Sequence, residues 1–117
     1  APVLGSLLLG GCFLEQAQPF EFDVVEGTVD AAMQLPGTWQ RLCIFTPYMT
    51  NGGARDILGF AYNVTWRSNI ALSDSITLLA TVNEDRVTGL YEVPMTNFNF
   101  AALGAGCIER ANAVFSL

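Results

Sequence analysis

Few side chains in this chain are able to do chemistry. It has no histidine and no lysine, and its five basic residues are all arginines: Arg41, Arg55, Arg67, Arg86 and Arg110. A Ser-His-Asp or Cys-His arrangement is excluded, because no imidazole is present to take the nucleophile's proton. Schiff-base chemistry and a phosphate-loop lysine are excluded in the same way. Neither a Gly-x-Ser-x-Gly elbow nor a dinucleotide-binding glycine fingerprint occurs. Carboxylate chemistry stays open, with Asp56, Asp74, Glu84, Asp85 and Glu92 as the acids available for a pair. A glycosidase needs two such groups facing one another across a cleft, and a domain this small rarely holds one. Glu84-Asp85 stands in the polar stretch Asn83 to Arg86, where acids serve turns. Asn83, Glu84 and Asp85 offer oxygens to calcium, yet the EF-hand loop spacing is absent. The chain is therefore read as not an enzyme, with no catalytic residue, cofactor or metal ligand assigned. A small carboxylate-dependent enzyme is the reading this leaves as an alternative.

The three cysteines are the next reactive groups. Cys12 follows an apolar run, Val3 to Leu9, and the tetrad Leu9-Gly10-Gly11-Cys12. A leucine three before the cysteine and two small residues between them resemble a lipobox, the end of a bacterial lipoprotein signal peptide. The resemblance implies that Cys12 carries lipid and becomes the first mature residue. An initiating methionine and a basic n-region do not precede the run, so residues 1–12 are read as a partial signal peptide. The run is well short of the ~20 residues that span a bilayer. The competing reading makes Val3 to Leu9 a buried strand and Cys12 a core thiol. Cys43 and Cys107 then remain as an even pair in an exported chain, which reads as a disulfide. Closing so long a loop stabilises a fold by ~4 kcal/mol in the chain-entropy model. Two buried free thiols are the alternative. A zinc site lacks ligands, since three scattered cysteines without histidine do not make four.

Charge and composition narrow the partners. Eleven acids against five arginines give a net charge of -6. Nucleic acid is excluded, because phosphate binding needs clustered cations. An anionic membrane surface repels such a domain, which leaves contact with the membrane only through a lipid on Cys12. Glu15, Glu21, Asp23, Glu26 and Asp30 fall together without a balancing cation. Residues 13–35 are accordingly read as an acidic tether, or else as a solvated strand edge. With 51% apolar and 14% charged residues in 117, the rest is one globular domain, residues 36–117.

The pattern along the chain supplies elements to position these groups. Phe20 to Val24 alternates as a half-exposed strand. Thr28 to Leu35 reads as a short helix capped by Thr28 and ended by Pro36-Gly37. Trp39 to Phe45 alternates as a strand, placing Trp39 on one face with Cys43 and Phe45. A helix starts near Thr50 or Asn51, buries Ala54, Ile57 and Leu58, and ends at Gly59. Ala61 to Ile70 alternates around Tyr62, Val64 and Trp66, which favours an extended segment. Asn63-Val64-Thr65 within it matches a glycosylation sequon, without weight in a bacterial chain. Ser75 to Val82 and Val87 to Val93 form a β-hairpin around Asn83 to Arg86. Asn97 to Phe100 is a loop, Ala101 to Leu103 a helical turn, and Ala113 to Leu117 a final strand. The sum is α+β: a small antiparallel sheet of about four to five strands with one main helix on a face. A β sandwich is the alternative. Tyr48, beside the Thr50 to Gly53 loop, and Phe98 with Phe100 are candidates for a binding surface. The other reading has these aromatics covering the core.

The lipobox-like start, the small domain and the late cysteine Cys107 together resemble the short, functionally uncharacterised lipoproteins of Gram-negative bacteria. Trp39 to Tyr48, Thr50-Asn51 and Leu58-Gly59-Phe60 add to that general likeness. The resemblance implies export to the periplasm or outer membrane and supports the disulfide; it transfers no activity. The function expected is a non-enzymatic, lipid-anchored envelope protein that binds or stabilises an envelope protein or glycan. The alternative is a structural subunit of an extracellular assembly, packed through the apolar arm Val3 to Leu9.

Overall fold

The computed structural model describes residues 16–117, and the expectations for Val3 to Leu9, Cys12 and Glu15 lie outside them. The hairpin is the spine of the fold. β4 (Ile76–Asn83) and β5 (Arg86–Pro94) pair antiparallel from Ile76↔Pro94 to Asn83↔Arg86, with a bulge between Thr81 and Val82. Strand β4 is β-branched and leucine-rich, and Thr77 to Val82 are buried on both faces, as a central strand requires. At the bulge Gly89 faces Thr81, where an added Cβ would lie 2.7 Å from the Tyr91 hydroxyl. β3 (Arg41–Phe45) pairs antiparallel with β4, and β6 (Gly106–Glu109) with β3. β1 (Gln18–Pro19) adds to the outer edge of β5. The resulting five-stranded sheet has the order β1-β5-β4-β3-β6. Its β1 edge is parallel to β5, so the sheet is not wholly antiparallel.

Both faces of the sheet are covered. On one, α2 (Asn51–Leu58) buries Ala54 and Leu58, with Val64 and Ile70, against Cys43, Phe45, Leu78, Ala80, Val82 and Leu90. Thr50 caps this helix, its hydroxyl accepting from the Gly53 N–H at 3.0 Å, and Gly59 ends it at φ 86°. The left-handed turn suits glycine at that position. On the opposite face, a second sheet of β2 (Thr28–Asp30) and β7 (Val114–Ser116) packs with α1 (Ala31–Gln34). That layer encloses Phe22, Val29, Leu35, Trp39, Phe98, Phe100 and Phe115 against Leu42, Ile44, Leu79 and Val93. The molecule is thus α+β, with a two-stranded sheet and a short helix on the face opposite α2.

Four sequence expectations are corrected here. Residues 16–35 are part of the domain: Phe22, Val29, Ala31 and Leu35 are at most 4% exposed, so the described part of 13–35 is not a tether. Their acids do point to solvent, but the apolar residues between them complete the core. Thr28 is in β2, and the helix begins at Ala31, capped by Asp30, whose carboxylate accepts from the Met33 N–H. The turn before β2 has positive φ at Glu26 and Gly27, the pattern of a type I′ turn. The Ala61 to Ile70 segment is not extended. It holds α3 (Val64–Arg67), capped by Asn63, whose side-chain oxygen accepts from the Trp66 N–H. Finally, Trp39 lies on the face of Leu42 and Ile44, opposite Cys43 and Phe45. The strand starts at Arg41, and the bend at Gln40 breaks the alternation.

Cys43 and Cys107 are disulfide-bonded, as directly opposed residues of β3 and β6. The link spans 64 residues and holds the edge strand β6 to its neighbour β3. Replacing both cysteines by alanine is expected to cost about 2 to 4 kcal/mol, mainly by freeing the unfolded chain. Chemical denaturation of the oxidised protein and the double variant measures it. Equal midpoints would show that the sheet alone fixes β6.

Candidate functional site

The sequence-derived candidates separate in space. Phe98 is 4% exposed and Phe100 fully buried, so neither lies on a binding surface. Phe100 sits among Phe22, Phe98 and Phe115 with ring centroids 4.7 to 5.5 Å away. The 3-10 turn Phe100–Leu103 folds the segment inward, where an extended strand would have presented one face to solvent. Tyr48 is 59% exposed, at φ 65°, and its N–H donates to the Ile70 carbonyl.

The acids do not converge. Glu84 and Asp85 form the exposed tip of the hairpin, where the Glu84 N–H donates to the Gln40 side chain. Glu92 accepts from the Ser68 hydroxyl at 2.9 Å, on the other end of the sheet. Asp56 is on the outer side of α2, and Asp74 is in the loop before β4. Among the described residues no group of three or more His, Cys, Asp or Glu is placed to hold a metal ion. Burial pushes the Tyr91 phenol above its ordinary value. That direction favours a neutral hydroxyl, the opposite of an activated nucleophile.

Arginines do gather. Two hollows adjoin along Ala61 and Tyr62. The first, about 340 Å³, is lined by Arg67 and Arg86 with Phe60, Thr88 and Leu90. The second, about 330 Å³, is lined by Arg55, Asn51 and Asn63. Three elements distant in sequence supply the guanidinium groups: α2 brings Arg55, α3 brings Arg67, and the start of β5 brings Arg86. The Asn51 side chain joins α2 to α3, accepting from the Thr65 N–H and donating to its hydroxyl. Arg67 is the best fixed of the three. Its guanidinium lies 4.6 Å from the Tyr62 ring centroid and 5.2 Å from that of Trp66, and it donates to the Asn63 carbonyl at 2.7 Å. Stacking on two rings holds the charge in place. Among the described residues that line the first hollow, Asp85 supplies the one carboxylate.

Arg41 and Arg110 serve the fold instead. Arg41 donates to the Leu58 carbonyl, and Arg110 to those of Gly37, Trp39 and Ala32 while stacking on Trp39. Sequence alone shows five scattered arginines, and no spacing distinguishes the structural pair from the gathered three.

The architecture is a disulfide-linked α+β domain with a small arginine- and tyrosine-lined surface. No family model, no curated protein and no solved structure matches this chain.

Proposed function

We propose that this chain is a non-enzymatic lipoprotein of the cell envelope, anchored through Cys12, that binds an anionic partner through Arg55 and Arg86, beside the ring-stacked Arg67. The partner is an acidic envelope glycan or an acidic face of an envelope protein. The observation that carries the reading is the gathering of three of five arginines around Tyr62 on a chain of net charge -6. Such a field repels anions at a distance, so a local cationic hollow selects partners that reach it directly. The Cys43–Cys107 disulfide fits an oxidising compartment. Two open hollows suit partner binding better than enclosed chemistry, which needs water excluded.

The test has two arms. Mass spectrometry of the protein purified from membranes reads acyl chains on Cys12; an unmodified Cys12 in the mature chain would sink the anchor. Amide shifts recorded with polygalacturonate, and with neutral dextran as control, read the surface. Polygalacturonate is expected to shift residues 55, 61–67 and 86–90, and binding should weaken as salt rises. The Arg55→Gln/Arg86→Gln double variant should bind at least tenfold more weakly. Shifts confined to other regions, or equal binding of dextran, would sink the anionic partner.

A further inference from the structure

Beside the arginine hollows lies a corner of mixed lining, in which two exposed apolar side chains stand among Thr65, Arg67, Ser68 and Asn69. Trp66 is 58% exposed and Leu72 87%, and both line a hollow of about 400 Å³ with Gln16 and Ala71. The first described residues lie here, where the Ala17 N–H donates to the Arg67 carbonyl at 3.0 Å. We infer that this corner, Trp66 and Leu72 foremost, rests in the headgroup layer of a zwitterionic phospholipid membrane. The inference rests on the lipid at Cys12 proposed above.

Reach sets the orientation. With residues 20–35 inside the domain, only residues 13–16 separate a lipid-bearing Cys12 from Ala17. Five residue steps, fully extended, cover at most about 18 Å. The shortest axis of the molecule is 26 Å. The tether is therefore too short to bring the far side of the domain to the bilayer, and the corner around Ala17 faces it. An exposed tryptophan and leucine are the side chains that suit that boundary, the indole at headgroup level and the leucine deeper. Two such groups hold a free domain weakly. A short tether makes the contact intramolecular, at high effective concentration, and so populates it. The same orientation leaves the arginine hollows at the flank, since Arg67 links the two surfaces through Tyr62 and Trp66.

The experiment uses the full lipidated protein in phosphatidylcholine vesicles with brominated acyl chains. Trp39 is buried in the domain, so bromine quenching reports Trp66. Wild-type emission is expected to fall, a Trp66→Phe variant to lose that fall, and Leu72→Glu to cut it severalfold with Cys12 still acylated. Absence of quenching on acylated protein would overturn the inference and leave the lipoprotein reading standing. An unacylated Cys12 would overturn both. Shielding of Trp66 from acrylamide without vesicles would mean that the chain's own N-terminal segment covers the corner, and would overturn the inference alone.

Discussion

A chain that begins at Pro36 is expected to lose cooperative folding, while one that begins at Phe20 keeps it. The first lacks Phe22, Val29, Ala31 and Leu35, all buried in the layer opposite α2. Full burial of a Phe, Val or Leu side chain is worth about 1.5 to 3 kcal/mol each. Three such losses approach the roughly 5 to 15 kcal/mol that a domain has in total. Further damage follows at the partners left behind. β7 loses its only strand neighbour, since Thr28, Val29 and Asp30 pair with Ser116, Phe115 and Val114. Asn97 loses the Phe22 N–H and carbonyl that its side chain bridges. Among the described residues, a chain starting at Phe20 gives up β1, an edge of two residues, and the Ala17 contact. Thermal melts with near-ultraviolet circular dichroism distinguish the cases. A sharp transition in the chain from Pro36, close to that of the chain from Phe20, would restore 20–35 as a tether and lengthen the reach to the membrane.

The same segment marks the boundary of what sequence pattern reveals. The hairpin and α2 are legible, because each carries a local signal that its tertiary setting does not oppose. Ser75 to Val93 has β-branched runs on either side of a polar turn, and Thr50 and Gly59 bracket a helix with capping chemistry. The paired cysteines are legible from compartment logic, and their register in adjacent strands completes it. Residues 20–35 mislead because charge density dominates the reading, although acids need only solvent on one side while Phe22 and Val29 need a core on the other. Residues 61–70 mislead because a four-residue helix spans barely one turn of about 3.6 residues, too little for a repeat to show, leaving Asn63 as its one signal. Phe98 and Phe100 share a side, as alternation suggests, but it is the inner one. The arginine surface is invisible in sequence, since its members come from α2, α3 and β5 and meet only through the fold.

Trp39→Ala is expected to destabilise the domain by about 3 to 5 kcal/mol, the range for removing a buried aromatic ring. Trp39 is 4% exposed, against Leu42 and Ile44 of β3. Its ring also carries Arg110, whose guanidinium lies 4.5 Å from the centroid and donates to three carbonyls around the Ala32 to Trp39 segment. Loss of the ring opens a cavity and removes the stacking surface that positions Arg110, which joins that segment to the link between β6 and β7. Trp39→Phe separates packing from polarity. The indole N–H is buried without a hydrogen-bond partner among the described residues, and an unpaired buried donor costs about 1 to 3 kcal/mol. Phenylalanine removes that donor and keeps part of the volume, so the two effects offset and the variant should melt close to wild type. Trp39→Ala should melt at least about 10 °C lower, given 4 to 8 °C per kcal/mol in domains near this size. Equal melting of the alanine variant and wild type would place the ring at the surface. Equal and large losses in both variants would show that the indole nitrogen is hydrogen-bonded.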